Sequence, residues 1–272
     1  ASTGKLSVTG YQDYNDAQKI LKEVNKYRKK NGRKALKMDR GLTNSAIMRG
    51  FETTIYIPET SPHRRPNGKL SKSINKKIIY ENCAQSAGTT PKQIVKGWIN
   101  SSTHRKGLLL SNAKSVGVAA VTVVSRDGYE ANTWVLDFSS SKAKKVEKSK
   151  ARKQFTKNIV TKNSYLKKSY LKLDSRYGTI WETEKMQMKP TYQGKMMKEY
   201  GVYPTVINTS SFTSWKSSNP SVASVDSNGR ITGNKAGTAT ISAKLKTGTK
   251  ITISKKINTY ETSILPYEDC CT

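Results

Sequence analysis

The chain holds only two histidines. His63 sits in SPHRRPNG (61–68) and His104 in NSSTHRKG (100–107), and Glu81, in YENC (80–83), lies 18 residues after the first and 23 before the second. Two neutral imidazoles and a carboxylate are a donor set for a divalent transition metal such as Zn²⁺, with a position left open for water. The same groups can instead exchange protons, the carboxylate setting the imidazole tautomer. Both chemistries require convergence in space, which the spacing alone does not dictate. Glu81 has a further reading, as a cap for the segment that follows it. Ser101 and Ser102 stand close to His104. No GxSxG elbow precedes them, so hydrogen bonding at a helix end is their expected role rather than a Ser–His nucleophile. Arg64, Arg65 and Arg105 flank the histidines. They are expected to form a cationic rim that attracts an anionic ligand, or to continue a basic surface. Guanidinium groups nearby disfavour imidazolium and keep the rings available as ligands.

The elements that must carry these residues are legible from periodicity. NDAQKILKEVNKYRKKNG predicts a first helix, with Asn15 and Gln18 at capping-box spacing, an apolar stripe of Ile20, Leu21, Val24 and Tyr27, and Gly32 as a stop. RGLTNSAIMRGFETTIY predicts a second, with Leu42, Ala46, Ile47 and Phe51 inward. Pro58, Pro62, Pro66 and Gly68 mark an irregular segment around His63. TTPKQIVKGWINSS predicts a third helix with Thr90 as N-cap, Pro91 at the first position and Gln93 closing the box; Ile94, Val95, Trp98 and Ile99 form its buried face, and His104 ends or follows it. KSVGVAAVTVVS and YEANTWVLDFSS then read as two strands joined by a hairpin at RDG. Helices followed by a hairpin give an α+β layered domain.

At 272 residues the chain favours two domains. The boundaries read as residues 11–140 for the first domain, 141–159 for a basic linker without apolar periodicity, 160–260 for an all-β domain, and 261–272 for a loose tail. In the third part, WKSSNPSVASVDSNGRITGNKAGTATISAKL alternates short strands with Asn-Gly and glycine turns, and TGT at 247–249 turns into KITISKKI, the pattern of a β-sandwich. The longest apolar run, Val116 to Val124, is far below a membrane span, so no transmembrane segment is expected. The small polar start ASTGKLSVTG is read as a mature N-terminus left after cleavage.

Net charge is +30, spread as +14 over residues 1–140, +7 over 141–160 and +9 over 161–272. Such a field attracts polyanions without specifying them: wall teichoic acid, acidic glycan, nucleic acid or anionic lipid. Zinc-finger spacing and RNA-recognition aromatics are absent, so specific nucleic-acid binding is not expected. Three cysteines without a CxxC argue against a disulfide scaffold or a cysteine zinc site. Cys270 and Cys271 are adjacent and poorly placed to pair with each other, and Cys83 reads as a small buried apolar residue.

Several motifs together carry a resemblance. VNKYRKKNGRKALKMD, SPHRRPNG, YENC, TPKQIVKGWINSSTHRKGLLLS, SVGVAAV and NTWVLDFS occur in the order and spacing of the CAP superfamily (cysteine-rich secretory proteins, antigen 5, pathogenesis-related proteins), in its cysteine-poor bacterial extracellular form. The resemblance covers residues 16–138. It implies an α-β-α sandwich with a central cleft, in which members often carry a His-Glu-Glu-His tetrad. His63, Glu81 and His104 match three members of that tetrad; the second glutamate position is Ser101, which is neither a good metal ligand nor a carboxylate base. The glycine that often precedes the glutamate is Tyr80 here. The catalytic reading therefore names His63, Glu81 and His104, the metal reading His63 and His104, and the ligand-binding reading Ser101, Arg64 and Arg105. Residues 160–258 resemble the bacterial Ig-like domain, group 2, most closely over WKSSNPSVASVDSNGRITGNKAGTATISA. That module implies a spacer or adhesive unit without catalytic residues. Together the resemblances imply a secreted or cell-wall-associated protein of a Gram-positive bacterium that binds a small ligand or divalent metal. The alternatives are a metal-dependent hydrolase or protease, and a polyanion-binding adhesin with an anionic wall polymer or glycan as partner.

Overall fold

A computed structural model describes residues 2–55, 63–174 and 178–262. Pro58, Pro62, Cys270 and Cys271, and the tail beyond residue 262, lie outside the described residues. The chain runs β1 (Thr3–Asp13), α1 (Tyr14–Lys30), β2 (Lys37–Met38), α2 (Arg40–Ile55), β3 (Ile78–Ser86), α3 (Pro91–Asn100), α4 (Ser102–Leu108), β4 (Ser115–Val124), β5 (Glu130–Ser139) and β6 (Arg152–Lys162). One sheet orders these strands β3-β5-β4-β1-β6, with β2 pairing β4. Strand alternation assigns the two faces. Val116, Val118 and Ala120 of β4 join a core with Ile20 and Val24 of α1 and Val95 and Trp98 of α3. Ala119, Val121 and Val123 join the opposite core with Ala46, Ile47 and Phe51 of α2. Helices therefore cover both faces of the sheet in an α-β-α arrangement.

Local chemistry explains where the helices begin. Thr90 and Gln93 form a full capping box with Pro91 in the first turn of α3, as the sequence predicts. For α1 the cap differs from expectation. Asp13, not Asn15, is the N-cap, and its carboxylate accepts from the Asp16 amide at 2.9 Å. A carboxylate reaches that amide with its charge against the helix N-terminus, where the macrodipole favours it. α2 can lie against the sheet because position 117 is glycine: a Cβ there would collide with the Leu42 backbone.

The linker expectation for 141–159 is corrected. Residues 152–162 form β6 and pair with β1 along its whole length, from Thr3↔Lys162 to Asp13↔Arg152. The linker reading failed because β6 is an edge strand. Arg152, Gln154, Thr156 and Asn158 on its outward side are polar and exposed, Lys153 and Lys157 lie on the same side as Ile159, and only Ile159 and Thr161 are buried, so no amphipathic period is visible. The segment before it is tied down too: the Lys144 amide donates to Asp39 Oδ2 at 2.8 Å and Arg40 pairs with Glu147 at 3.1 Å.

From Leu171 onward the structure is almost entirely β: β7 (Leu171–Asp174), β8 (Thr179–Trp181), β9 (Lys185–Gln187), β10 (Lys189–Tyr192), a short α5 (Lys195–Glu199), β11 (Thr205–Val206), β12 (Phe212–Ser217), β13 (Ala223–Val225), β14 (Arg230–Gly233), β15 (Gly237–Leu245) and β16 (Thr252–Tyr260). Small sheets ordered β12-β15-β16-β8, β13-β14-β9 and β11-β10-β7 form this half. The Asn-Gly turn joins β13 to β14, with Gly229 at φ +74°. One apolar cluster runs from Leu6, Val8 and Ile159 into Leu166, Ile207 and Phe212, so the two halves share buried surface.

Candidate functional site

β3 is an edge strand of the large sheet, so groups from both helical layers can meet around it. On its α2-facing side, Glu81 stands opposite Asp137 of β5 in register, and Asp137 opposite Gly117 of β4. α2 supplies Arg49 and Glu52 to the same side. Arg49 is fully buried and grips both carboxylates: Nε donates to Glu81 Oε2 at 2.9 Å, Nη2 to Glu81 Oε1 at 3.1 Å, and Nη1 to Glu52 Oε2 at 2.8 Å. Arg65 closes the outer end, its Nη2 donating to Glu52 Oε1 at 2.7 Å. His63 Nδ1 lies 3.0 Å from Glu81 Oε1.

Charge balance sets the protonation states. Two guanidinium groups face two carboxylates, Glu52 and Glu81. Burial works against the Glu81 charge, but the hydrogen bond from His63 and those from Arg49 outweigh it and hold its carboxyl at about 2. Burial likewise opposes the Arg49 charge, and the Glu81 bonds more than reverse this, so its pKa is raised. Asp137 would be a third, unbalanced anion. It is completely buried, and neither carboxyl oxygen has a hydrogen-bond partner among the described residues. Burial first, and then the Glu81 charge, push it well above the usual carboxylate range, which favours its neutral form. An ionised Glu81 can only accept. His63 Nδ1 is therefore the donor in their bond, and in the neutral ring the proton is on Nδ1 and the lone pair on Nε2.

The second histidine comes from the other layer. Ser101 joins α3 to α4, and His104 lies in α4's first turns. Gly107 lets α4 press on β3, since a Cβ there would stand 2.7 Å from Asn82 Oδ1 and 2.8 Å from the Tyr80 ring. Tyr80 Oη donates to the Thr103 carbonyl at 2.9 Å and Asn82 Nδ2 to the His104 carbonyl at 2.9 Å. Tyr80, where the family often has glycine, thus pins this turn. His104 Nδ1 bonds Ser101 Oγ at 2.8 Å; among the described residues its Nε2 has no partner. Burial, and then the charge of His63, lower the His104 pKa, so the two rings are near enough to interact electrostatically.

The structure thus joins His63 directly to Glu81, and joins His104 to Ser101 rather than to a carboxylate. The expected arginine rim is only partly present. Arg64 Nη1 donates to the Gly68 carbonyl at 3.1 Å and Arg105 Nη1 to the Ile99 carbonyl at 2.9 Å, both at the surface. Arg65 instead turns inward onto Glu52. Sequence reasoning missed Arg49, Glu52 and Asp137. Their signal was their position on the inward stripes of a helix and a strand, where an ionisable residue requires a partner.

Fit to a metal can be judged from the donors. His63, Glu81 and Cys83 place one ligand atom each within 4.8 Å of one another. Yet both Glu81 oxygens are taken by Arg49 and His63. Burial, and then Glu81, push the Cys83 thiol well above its usual range, so it is not a thiolate. This trio does not fit a metal without breaking the Arg49 bonds. The imidazole nitrogens are the donors better suited to a cation.

Comparison with known proteins agrees with this architecture. Residues 21–138 match the cysteine-rich secretory protein family (CAP), and residues 193–255 match the bacterial Ig-like domain, group 2. The uncharacterised protein YkwD of Bacillus subtilis (strain 168) is 33% identical over 119 residues, 42% of this chain; the chain spans only 44% of that relative's length. Among solved structures, an outer surface protein of Borrelia burgdorferi aligns over 48% of this chain and 98% of its own at 16% identity and a TM-score of 0.37. An extracellular SCP-domain protein of Bacillus anthracis str. Ames aligns over 46% and 41% at 19% identity and a TM-score of 0.35. Residues 21–138 thus carry a domain of the cysteine-rich secretory protein (CAP) type, and residues 193–255 a bacterial Ig-like domain of group 2.

Proposed function

We propose that this is an extracellular, wall- or surface-associated bacterial protein whose CAP cleft binds a small ligand or a divalent cation through His63 and His104. The pairing of a CAP with an Ig-like domain fits an extracellular protein, and the Ig-like module acts as a spacer or adhesive unit. No helix among the described residues is long and apolar enough to cross a membrane. A Gram-positive source is part of the same reading.

The observation that weighs against a carboxylate-assisted hydrolysis is the fate of the carboxyl groups. Glu52 and Glu81 are neutralised by Arg49 and Arg65, and Asp137 is buried where its charge is disfavoured. A general base must be able to take a proton near neutral pH, and a carboxylate held at about 2 by the hydrogen bonds from His63 and Arg49 cannot. Ser101 occupies the place where a second glutamate would serve. What the cleft offers is two imidazoles, each held at Nδ1, His63 by Glu81 and His104 by Ser101. His63 and His104 hold the ligand, Glu81 and Ser101 orient them, and Arg64 and Arg105 line the approach.

Calorimetric titration of Zn²⁺ into metal-stripped protein tests this. One saturable site is expected in the wild type and none in the His63→Ala/His104→Ala double variant. Zinc-dependent cleavage of a peptide or ester, abolished by the same double variant, would overturn it in favour of the metal-dependent hydrolase or protease.

A second reading, polyanion binding, is favoured by the net charge of +30. It predicts an affinity for anionic wall polymer or glycan that falls steeply between low and physiological salt and is indifferent to the histidine substitutions.

A further inference from the structure

β6 closes one side of the large sheet, opposite the β3 edge, and among the described residues only β1 pairs with it. That pairing runs without a break in register from Thr3↔Lys162 to Asp13↔Arg152. In an antiparallel pair, residues alternate between exchanging main-chain bonds with the partner and pointing those groups away from it. The two ends of the ladder fix the phase. The Tyr14 amide donates to the Ala151 carbonyl and the Asn163 amide to the Ser2 carbonyl, each at 3.0 Å. The odd-numbered positions of β6 therefore bond β1, and the even-numbered ones aim their main-chain groups at the open edge. Lys162 follows this rule: its amide donates away from β1, to the Pro66 carbonyl at 3.0 Å. At Arg152, Gln154, Thr156, Asn158 and Val160 the amide and carbonyl on that edge have no main-chain partner among the described residues.

A long edge without a bulge or a proline is a template for another strand unless its side chains prevent pairing. β6 has no proline, and it carries Arg152, Lys153, Lys157 and Lys162 with no acid. A second copy of β6 laid along it would set these cations against one another, so the edge resists self-pairing. The same charges attract an acidic chain. Neither Lys153 nor Lys157 has a carboxylate partner among the described residues. Each lies over a ring instead, Lys153 Nζ 5.8 Å from the Tyr14 centroid and Lys157 Nζ 5.0 Å from the Phe155 centroid. Arg152 lies 4.1 Å from the Tyr11 centroid, and its ion pair with Glu130, at 3.7 Å, is exposed. Cations held over these rings lean along the faces of the sheet and leave its main-chain edge uncovered.

We propose that β6 is a docking edge for an acidic, extended peptide, which adds to the large sheet as a further strand. Main-chain bonds to the even-numbered positions supply the pairing, and the side chains supply the choice of partner. The odd-numbered positions then form the non-hydrogen-bonded pairs, in which opposing side chains stand closest. Along that face Lys153, Phe155 and Lys157 call for an acid, an apolar residue and an acid at alternate positions of the partner. The other face presents Gln154, Thr156 and Asn158, uncharged and exposed, and takes polar residues. An anionic glycan or wall polymer would meet the charges, but it has no ladder of amides and carbonyls to match the open one. The unpaired main chain is what favours a peptide.

The test is an NMR titration of the full chain with the end-capped peptide Thr-Glu-Thr-Val-Thr-Glu-Thr, at about 150 mM salt so that exposed charges are screened. Saturable shifts are expected along β6, and hydrogen exchange at the Gln154, Thr156 and Asn158 amides should slow about tenfold or more. The same peptide N-methylated at its threonines keeps its charge but cannot donate to β6, and should bind about tenfold more weakly. The Lys153→Glu/Lys157→Glu variant should lose the acidic peptide and bind instead the peptide with lysine in place of glutamate. The His63→Ala/His104→Ala variant should bind the acidic peptide as the wild type does, which separates this edge from the CAP cleft. Shifts that are absent or never saturate would overturn the proposal. So would an N-methylated peptide that binds as tightly as its parent, since charge alone would then hold it, as it would a polyanion. Protection of the same amides that rises with protein concentration, without peptide, would assign the edge to a second copy of the chain and overturn it as well.

Discussion

His63 and His104 are held by different chemistry. His63 leans on Glu81, a buried carboxylate clamped by Arg49. An ionised carboxylate only accepts, so the tautomer of His63 is set. His104 leans on Ser101, whose hydroxyl also lies 3.2 Å from Thr103 Oγ1 and can donate or accept. Both tautomers remain open to that ring. The first limb is pre-organised by a charge network with an inner wall at Asp137; the second is compliant and stands at the junction of two short helices. The difference shows that a carboxylate partner fixes a ring proton where a hydroxyl partner leaves it adjustable.

The largest break in this contrast should come from Arg49→Ala. It strands Glu81 and Glu52 as buried charges, and truncating one partner of such a network costs about 3–5 kcal/mol. Urea unfolding should show that loss, and an effect below about 1 kcal/mol would mean the charges are not buried together.

Glu81→Gln should release His63 from its set tautomer and weaken Zn²⁺ affinity about 10–100-fold, the usual cost of losing an orienting partner. Because the folded carboxyl is held at about 2, its contribution to stability is present above about 4.5 and is lost as pH falls towards 2. The stability gap between wild type and variant should close over that window.

Asp137→Asn isolates the inner wall. The folded carboxyl is raised above the ordinary 3.8, so its contribution is full below that pH and is lost as pH rises towards the folded value. Denaturation from about pH 4 upwards should show the wild type losing about 1.4 kcal/mol per pH unit against the variant until Asp137 ionises in the folded state. A constant difference would place Asp137 in its ionised form.

The smallest effect is the most diagnostic. Ser101→Glu should convert the compliant limb into a copy of the first. Ring nitrogen shifts should show His104 moving to a single tautomer, its midpoint rising from below the ordinary 6.5, and Zn²⁺ binding tightening about fivefold.

Sequence patterns alone determined much of this molecule. The 3.6-residue stripes of α1 and α2, the Thr90–Gln93 box, the RDG hairpin and the Asn-Gly turn are local signals, each decided within a few residues. The motifs around His63, Glu81 and His104 identified the family and the edge of the cleft. Only the tertiary structure decided the rest, because it depends on groups brought together from distant segments. Arg49 reads as one more lysine-like charge on a helix until β3 places Glu81 against it, 32 residues away. β6 reads as a basic linker until β1, at the opposite end of the unit, supplies its hydrogen bonds. Asp137 reads as a polar break in an apolar strand until register sets it beside Glu81 and burial removes its charge. A residue's type fixes what it can donate or accept; which of those capacities is used depends on the neighbours and the solvent exclusion that folding alone creates.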